Sequence, residues 1–334
     1  MQDYADQALR LTVRLEQLSR GASYDMQKVL RKMQKEILGA MLADKITTRN
    51  ILTRVQKEVR QISLARYEEI EEIVFNHEST TAAAAHSSEV RGYASLGLPA
   101  SSFAEARATS LVIDSAYASV MPGLGGGHQT TVGDMISRFV GNGVNDSKNI
   151  ALRAYREGLP VAAITEMVRN STGLQMRQAE TIARTSIQAV ANQARQDVAD
   201  SVGSEKEIWL ATLDTKTCNY CQGLDGKCKD KGKFPLLAHP NCRCARLYLP
   251  PDMSCSEAKS SLGRVARGPS GRSQTLGKYE TFGEWILTQP KKFQEEVLGK
   301  KRAKLLRDGK ITFDKMYTQA GKRRTVQSIE EHYK

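Results

Sequence analysis

The stretch Asp214-Thr215-Lys216-Thr217-Cys218-Asn219-Tyr220-Cys221-Gln222-Gly223-Leu224-Asp225-Gly226, answered downstream by His239-Pro240-Asn241-Cys242-Arg243-Cys244, decides how this chain is read. A Cys-x-x-Cys pair forms a knuckle that aims two thiolates at one ion, and a second pair brought back by a loop completes a tetrahedron. Thiolate and imidazole are donors that Zn²⁺ prefers. All six cysteines of the 334 residues fall between Cys218 and Cys255. The expected ligands are Cys218, Cys221, His239 and one of Cys242 or Cys244. The last two are two residues apart, so in an extended segment both point the same way and crowd a single ion. The reading leans to Cys244, with Cys242 as its rival. Cys228, in a Lys-rich loop, and Cys255, past Pro250-Pro251, are weaker candidates.

Other uses of these thiols fit less well. A catalytic zinc keeps an open position beside a general base, whereas four or five soft ligands here suit a closed structural site. A redox Cys-x-x-Cys opens a helix after a strand in a βαβ unit. Residues 222–226 read as a turn instead. A group of free buried thiols is the plain alternative.

Outward from the cluster, residues 207–213 and 245–249 read as two short strands entering and leaving it. The long segment 175–202 reads as an Ala-rich helix with Ile182, Ser186, Ala189 and Gln193 on one side and Gly203 as its stop. Gly158-Leu159-Pro160 ends one helix and begins the next, and residues 131–134 offer a cap. Near the N-terminus, Val29, Met33, Ile37 and Met41 step by four, and Ile51, Val55, Val59 and Ile62 by three or four, on either side of a break at 44–48. Such narrow stripes pack helix on helix. The expected fold is mainly α: long N-terminal helices, a helical middle region, and a small α+β zinc-stabilised unit. The expected divisions are an elongated helical region at 1–120, a Gly-rich linker at 121–130, and a middle domain at 131–250 with its zinc unit at 205–250. A loose linker follows at 251–278, then a basic helical C-terminal region at 279–334.

Charge and hydropathy narrow the function classes. No run of about 18 apolar residues is present, so no membrane anchor is expected. The acidic first residues do not resemble a secretory signal. A reducing site of synthesis, and thiols rather than disulfides, are therefore expected. The net charge is +12, and residues 251–334 hold 18 Lys and Arg against 10 Asp and Glu. A basic C-terminal part suits a polyanion, nucleic acid first. Lys300, Lys301, Arg302 and Lys304 are the candidate DNA contacts, with a solvated surface as the plain alternative.

A longer pattern joins these pieces. Ala179-Glu180-Thr181-Ile182-Ala183-Arg184-Thr185-Ser186 leads to Trp209, then Asp214, Cys218-x-x-Cys221, Leu224-Asp225-Gly226 and the HPNCRC string at 239–244. This order resembles the head-morphogenesis domain of phage Mu F-like minor head proteins, over roughly residues 131–250. Phe282-Gly283-Glu284-Trp285, Gln289-Pro290 and Val297-Leu298-Gly299-Lys300 look like the tail that follows it. The resemblance implies a structural, non-enzymatic virion component near the portal inside the capsid, made in the host cytoplasm. It implies portal or major capsid protein as partners, non-specific duplex DNA contact, and a role in head assembly or genome packaging and delivery. Self-association stays open. The alternative class is a zinc-stabilised nuclease or other DNA-binding protein. It would need a base from among His77, His86, His128 or His332, none of which is near the cysteines in sequence.

Overall fold

A computed structural model describes residues 2–98, 100, 105–122, 129–260, 263–270, 273–276, 279–318 and 321–332. Its elements begin with five helices: α1 (Gln2–Leu42), α2 (Arg49–Ala94), α3 (Glu105–Ala118), α4 (Val132–Glu157) and α5 (Val161–Ser201). The apolar stripe of α1 continues through Met26, Leu30, Met33, Ile37 and Met41, all buried against Leu52, Val55 and Val59 of α2. Thr48 caps α2, its hydroxyl accepting from the Ile51 N–H, so the break expected at 44–48 is a helical hairpin turn. Thr131 and Asp134 form a reciprocal capping box at the start of α4, and Gly158, left-handed at φ 60°, ends it. Gly203 (φ 73°) follows α5.

The fold is mainly α, and α5 is its axis. Ala179, Ala183, Ala189, Ala191, Ala194 and Ala199 are all buried, so neighbours approach this helix from several sides at close range. Close approach recurs elsewhere. A Cβ on Gly143 of α4 would stand 1.6 Å from the Tyr67 hydroxyl of α2, so only glycine admits that tyrosine.

Beyond α5, β1 (Lys206–Leu210), α6 (Asn219–Leu224), β2 (Cys228–Asp230) and β3 (Ala245–Tyr248) build a three-stranded antiparallel sheet in the order β2-β1-β3. The chain then forms α7 (Cys255–Ser260), a hairpin of β4 (Arg264–Arg267) and β5 (Ser273–Leu276), α8 (Phe282–Thr288), α9 (Lys291–Leu298) and α10 (Lys300–Arg307). A 3₁₀ turn at Asp314–Met316 and α11 (Val326–His332) complete it. Phe282, Trp285, Phe293, Leu306 and Tyr317 form a separate small core for this C-terminal part. No helix among the described residues is long and apolar enough to cross a membrane.

Three expectations are corrected. The segment 251–278 is not a loose linker. Arg264 is buried and forks onto the equally buried Asp225, its Nη1 and Nη2 donating to the two carboxylate oxygens at 2.8 and 2.9 Å. That pair ties the hairpin down. The region 1–120 is not a body apart, because Leu11 and Leu15 of α1, Ala82 and Ala85 of α2, and Ala189 and Val190 of α5 share one core with Trp209 and Cys221. The linker expected at 121–130 therefore joins parts of that same core. Met121 is buried and pairs with Thr130 in an antiparallel bridge, while the glycines at 123–127 and His128 lie outside the described residues. Finally, Cys228 and Cys255 are joined in a disulfide, not free. The edge strand β2 and the first residue of α7 bring their Cα atoms to 6.3 Å, within bridging range.

Two carboxylates make this packing testable. Glu78 of α2 is fully buried, and Tyr117 of α3 donates to both of its oxygens at 2.9 and 2.8 Å. Burial raises its pKa to about 7, with the hydrogen bonds from Ser186 and Tyr117 pulling the other way. The folded chain thus keeps a proton that the unfolded chain loses above about pH 4.5. Stability should fall as pH rises from about 4.5 to 7, by about 3 kcal/mol at most, and level off above. Glu78→Gln should flatten that part of a urea-denaturation pH profile, and an unchanged slope would refute the assignment. For Asp225→Ala, which strands Arg264, the expected loss is about 3–5 kcal/mol in the same assay.

Candidate metal centre

The cluster is assembled by β1, α6 and the turn that precedes β3. Cys218 caps α6, and its sulfur accepts from the Cys221 N–H at 3.4 Å. The Cys-x-x-Cys does open a short helix, contrary to the turn read at 222–226. That helix nonetheless lies beside an antiparallel sheet, not in a βαβ unit. Opposite it, the Cys242 N–H bonds the His239 carbonyl at 3.1 Å, closing a tight turn around Pro240 and Asn241.

Central helix α5 holds this turn. Asn241 takes a left-handed φ of 64°, uncommon for a residue with a side chain. Its N–H donates to Thr185 Oγ1 at 2.9 Å and its Nδ2 to Thr181 Oγ1 at 3.1 Å. Arg184 Nη1 donates to Asn241 Oδ1 at 3.3 Å. The helix motif and the HPNCRC string are therefore two faces of one joint. Arg243, next along, forks onto Asp214, with Nη2 donating to Oδ1 at 2.8 Å. Asp214 also accepts from the Lys216 N–H at 2.9 Å, which shapes the approach to Cys218. Burial disfavours its charged form, but the Arg243 hydrogen bonds outweigh this and hold its pKa below the usual range.

Inside this frame, two overlapping triads share Cys221. Cys218, Cys221 and His239 present donor atoms mutually within 4.8 Å, as do Cys221, Cys242 and Cys244. Cys218 Sγ lies 3.1 Å and Cys221 Sγ 3.6 Å from His239 Nε2, and Cys221 Sγ lies 3.8 Å from Cys242 Sγ. The Nδ1–H of His239 donates to the Pro240 carbonyl at 2.6 Å, which fixes the tautomer and turns Nε2 toward the sulfurs. The cluster could hold one metal ion.

Cys242 and Cys244 differ in outlook. The charge of Cys242 helps to raise the pKa of His239, whereas that of Cys244 helps to raise those of Arg243 and Arg264. Cys242 and Cys244 both stand within donor range of Cys221 and neither shares a triad with His239, so the fourth ligand is one of these two, with the electrostatic tie to His239 supporting Cys242. Cys228 and Cys255 are joined to each other and take no part.

The thiols strain against one another electrostatically. The hydrogen bond with Cys221, then that with His239, holds Cys218 down at about 5, against burial. Cys242 is held well below an ordinary thiol by Cys221 and Cys244. Cys221 and Cys244 are pushed up by their neighbours. Burial opposes charge on His239, but the Cys218 hydrogen bond and nearby thiolates raise it to about 9. Thiols this close cannot all ionise together unless a cation sits among them, which is what a bound metal supplies. The donor set therefore fits a soft divalent metal.

The described cationic candidates near the C-terminus divide. Lys300, Lys301 and Lys304 are exposed on α10, but Arg302 is half-buried and its Nη2 donates to the Arg324 carbonyl at 2.9 Å. Spacing alone did not show that Asp214, Asp225, Thr181 and Thr185 form the frame. The only signal was their place in the longer motif.

Elemental analysis of protein purified without chelator should find metal in the native chain and in Cys244→Ser, and lose it in Cys218→Ser and Cys242→Ser. Retention in Cys242→Ser with loss in Cys244→Ser would reverse the ligand choice.

Residues 147–247 match the family model described as Phage Mu protein F like protein. That span contains the α5 clamp and every residue of both cysteine triads. No curated protein and no solved structure gives a significant match. Over residues 147–247, the segment that carries its candidate metal centre, the chain is similar to the phage Mu protein F-like family.

Proposed function

We propose that this chain is a minor head protein of a bacteriophage, a structural component of the virion placed at the portal vertex or head interior. The observation that carries the reading is the family match over 147–247, coinciding with the joint between α5 and the cysteine turn. In this reading Cys218, Cys221, His239 and Cys242 hold one structural Zn²⁺. The ion cross-links α6 to the turn before β3 and so fixes the sheet against the helical bundle. Because Cys221 and Cys242 belong to the same core as Leu11 and Ala85, metal loss should loosen more than residues 205–250.

The partners proposed are the portal or major capsid protein, and duplex DNA bound without sequence preference through exposed lysines such as Lys300, Lys301 and Lys304. Phosphate contacts of this kind position a protein and carry no sequence information. The role is assembly of the head or packaging and delivery of its genome. The nuclease alternative gains no support from the described histidines. His77 bonds Asp25 at 3.1 Å on the helical hairpin, and His86 lies on α2 as well.

The test is composition and infectivity of heads. In a phage carrying this gene, the chain should be found in purified heads and captured with the portal or capsid protein. Its deletion should give misassembled or non-infectious particles. Normal infectious heads lacking the chain would sink the reading, and so would a metal-dependent cut of duplex DNA by the purified protein.

A further inference from the structure

A cleft of about 210 Å³ opens between α1, α5, the β1–α6 connection and β4, beside the cysteine cluster but separate from its donor atoms. Seven Lys and Arg residues line it, against only Glu16 and Asp214. Two of the seven are neutralised in place: Arg195 by Glu89 at 2.8 Å and Arg264 by Asp225. The other five are Arg20, Arg184, Lys216, Arg243 and Arg267.

Few carboxylates line the cleft beside them. Asp214 is engaged by Arg243. Glu16 is shared, at 3.3 Å from Arg20 and 3.5 Å from Arg267. Arg184 bonds Glu180 at 3.0 Å, outside the lining. Lys216 is exposed and has no ion-pair partner among the described residues. Exposed pairs such as Arg20–Glu16 contribute little and exchange partners readily.

A second observation points the same way. Arg195 is only 4% exposed, yet its buried Nη2 has no hydrogen-bond partner. A buried cationic donor left without an acceptor is costly, and an anionic oxygen is its strongest acceptor. A lining rich in guanidinium groups suits the tetrahedral, multi-oxygen phosphate.

We propose that this cleft is a nucleic-acid site, which receives phosphodiesters of a DNA strand between α1 and the metal-bearing unit. The identity of the polyanion rests on the head-protein reading, while the anion site rests on the cleft itself. Arg20 and Lys216 reach from its two walls, and Arg184 and Arg243 link it to the cysteine turn, so the metal would keep one wall in place. The exposed lysines of α10 act independently of it.

The test uses the full metal-bearing chain and a fluorescein-labelled DNA oligonucleotide, with binding followed by anisotropy across a salt series. The variant Arg20→Glu with Lys216→Glu should weaken binding about tenfold or more and lower the slope of log K against log salt by about 1.5. Lys300→Glu with Lys301→Glu and Lys304→Glu should leave the cleft's share of that slope in place. As a ligand-only readout, inorganic tripolyphosphate should raise the thermal midpoint of the native chain and not that of the cleft variant. An unchanged salt slope in a cleft variant that melts normally would overturn the proposal, as would full tripolyphosphate stabilisation of it. Absence of any DNA binding by the native chain would overturn it too, yet would leave the head-protein reading to be judged by virion content.

Discussion

A carboxylate with no exposed surface has to be neutralised where it lies, and three such groups organise this molecule. Glu89, Glu207 and Asp225 are each 3% exposed or less, and each is met by an arginine equally removed from water: Arg195, Arg246 and Arg264. Removing one member of a buried pair is far more damaging than the pair is stabilising, so these contacts act as registry marks. Glu89–Arg195 sets α2 against α5. Glu207–Arg246 lies across the β1–β3 ladder, and the Phe234 N–H donates to Glu207 at 2.9 Å. Asp225–Arg264 closes the hairpin on α6, and Asp225 also accepts from the N–H groups of Ala211 and Phe282 at 2.7 and 2.6 Å. The sheet, the hairpin and the C-terminal helices are thus indexed to one helical bundle.

The cysteine cluster inherits its geometry from that indexing. Thr181 and Thr185 lie one turn apart on α5, and together they hold Asn241 in a conformation that turns the chain between His239 and Cys242. Tyr317 reaches back from the C-terminal core, its hydroxyl donating to Gln222 at 2.7 Å on α6. Gly223, next to Gln222, has no room for a side chain, since a Cβ there would stand 2.6 Å from the Tyr317 ring. A metal in the cluster would therefore lock a joint whose two sides already share one core. This contrasts with a small zinc module that has no core of its own.

Much of the helical frame was legible from the order of residues. The break near Thr48, the capping box at Thr131 and the stop at Gly158 depend on interactions within four residues, and such interactions are written locally. Apolar spacing in α1 and α2 marked the faces that are buried. The strands flanking the cysteines were likewise visible as short apolar runs. What escaped was long-range and polar. Nothing near Asp225 announces Arg264, and nothing near Cys228 announces Cys255, because the partner is chosen by how the intervening chain folds. The Ala- and Ser-rich stretch after residue 76 has only weak apolar periodicity, yet it is the second half of α2, where small buried residues such as Ala82 and Ala85 admit close neighbours.

The sequence by itself determined that the chain is mainly helical, that Cys218, Cys221, His239, Cys242 and Cys244 are its candidate soft donors, and that its family pattern runs through α5 into the cysteine turn. Helical period, capping chemistry and donor type are properties of residues and their near neighbours. Only the tertiary structure decided that the supposed linkers belong to packed cores, that Cys228 pairs with Cys255, and that Arg302 is half-buried while Lys216 faces a cationic cleft. Those outcomes depend on the direction in which each side chain leaves a folded backbone and on which distant segment it then meets.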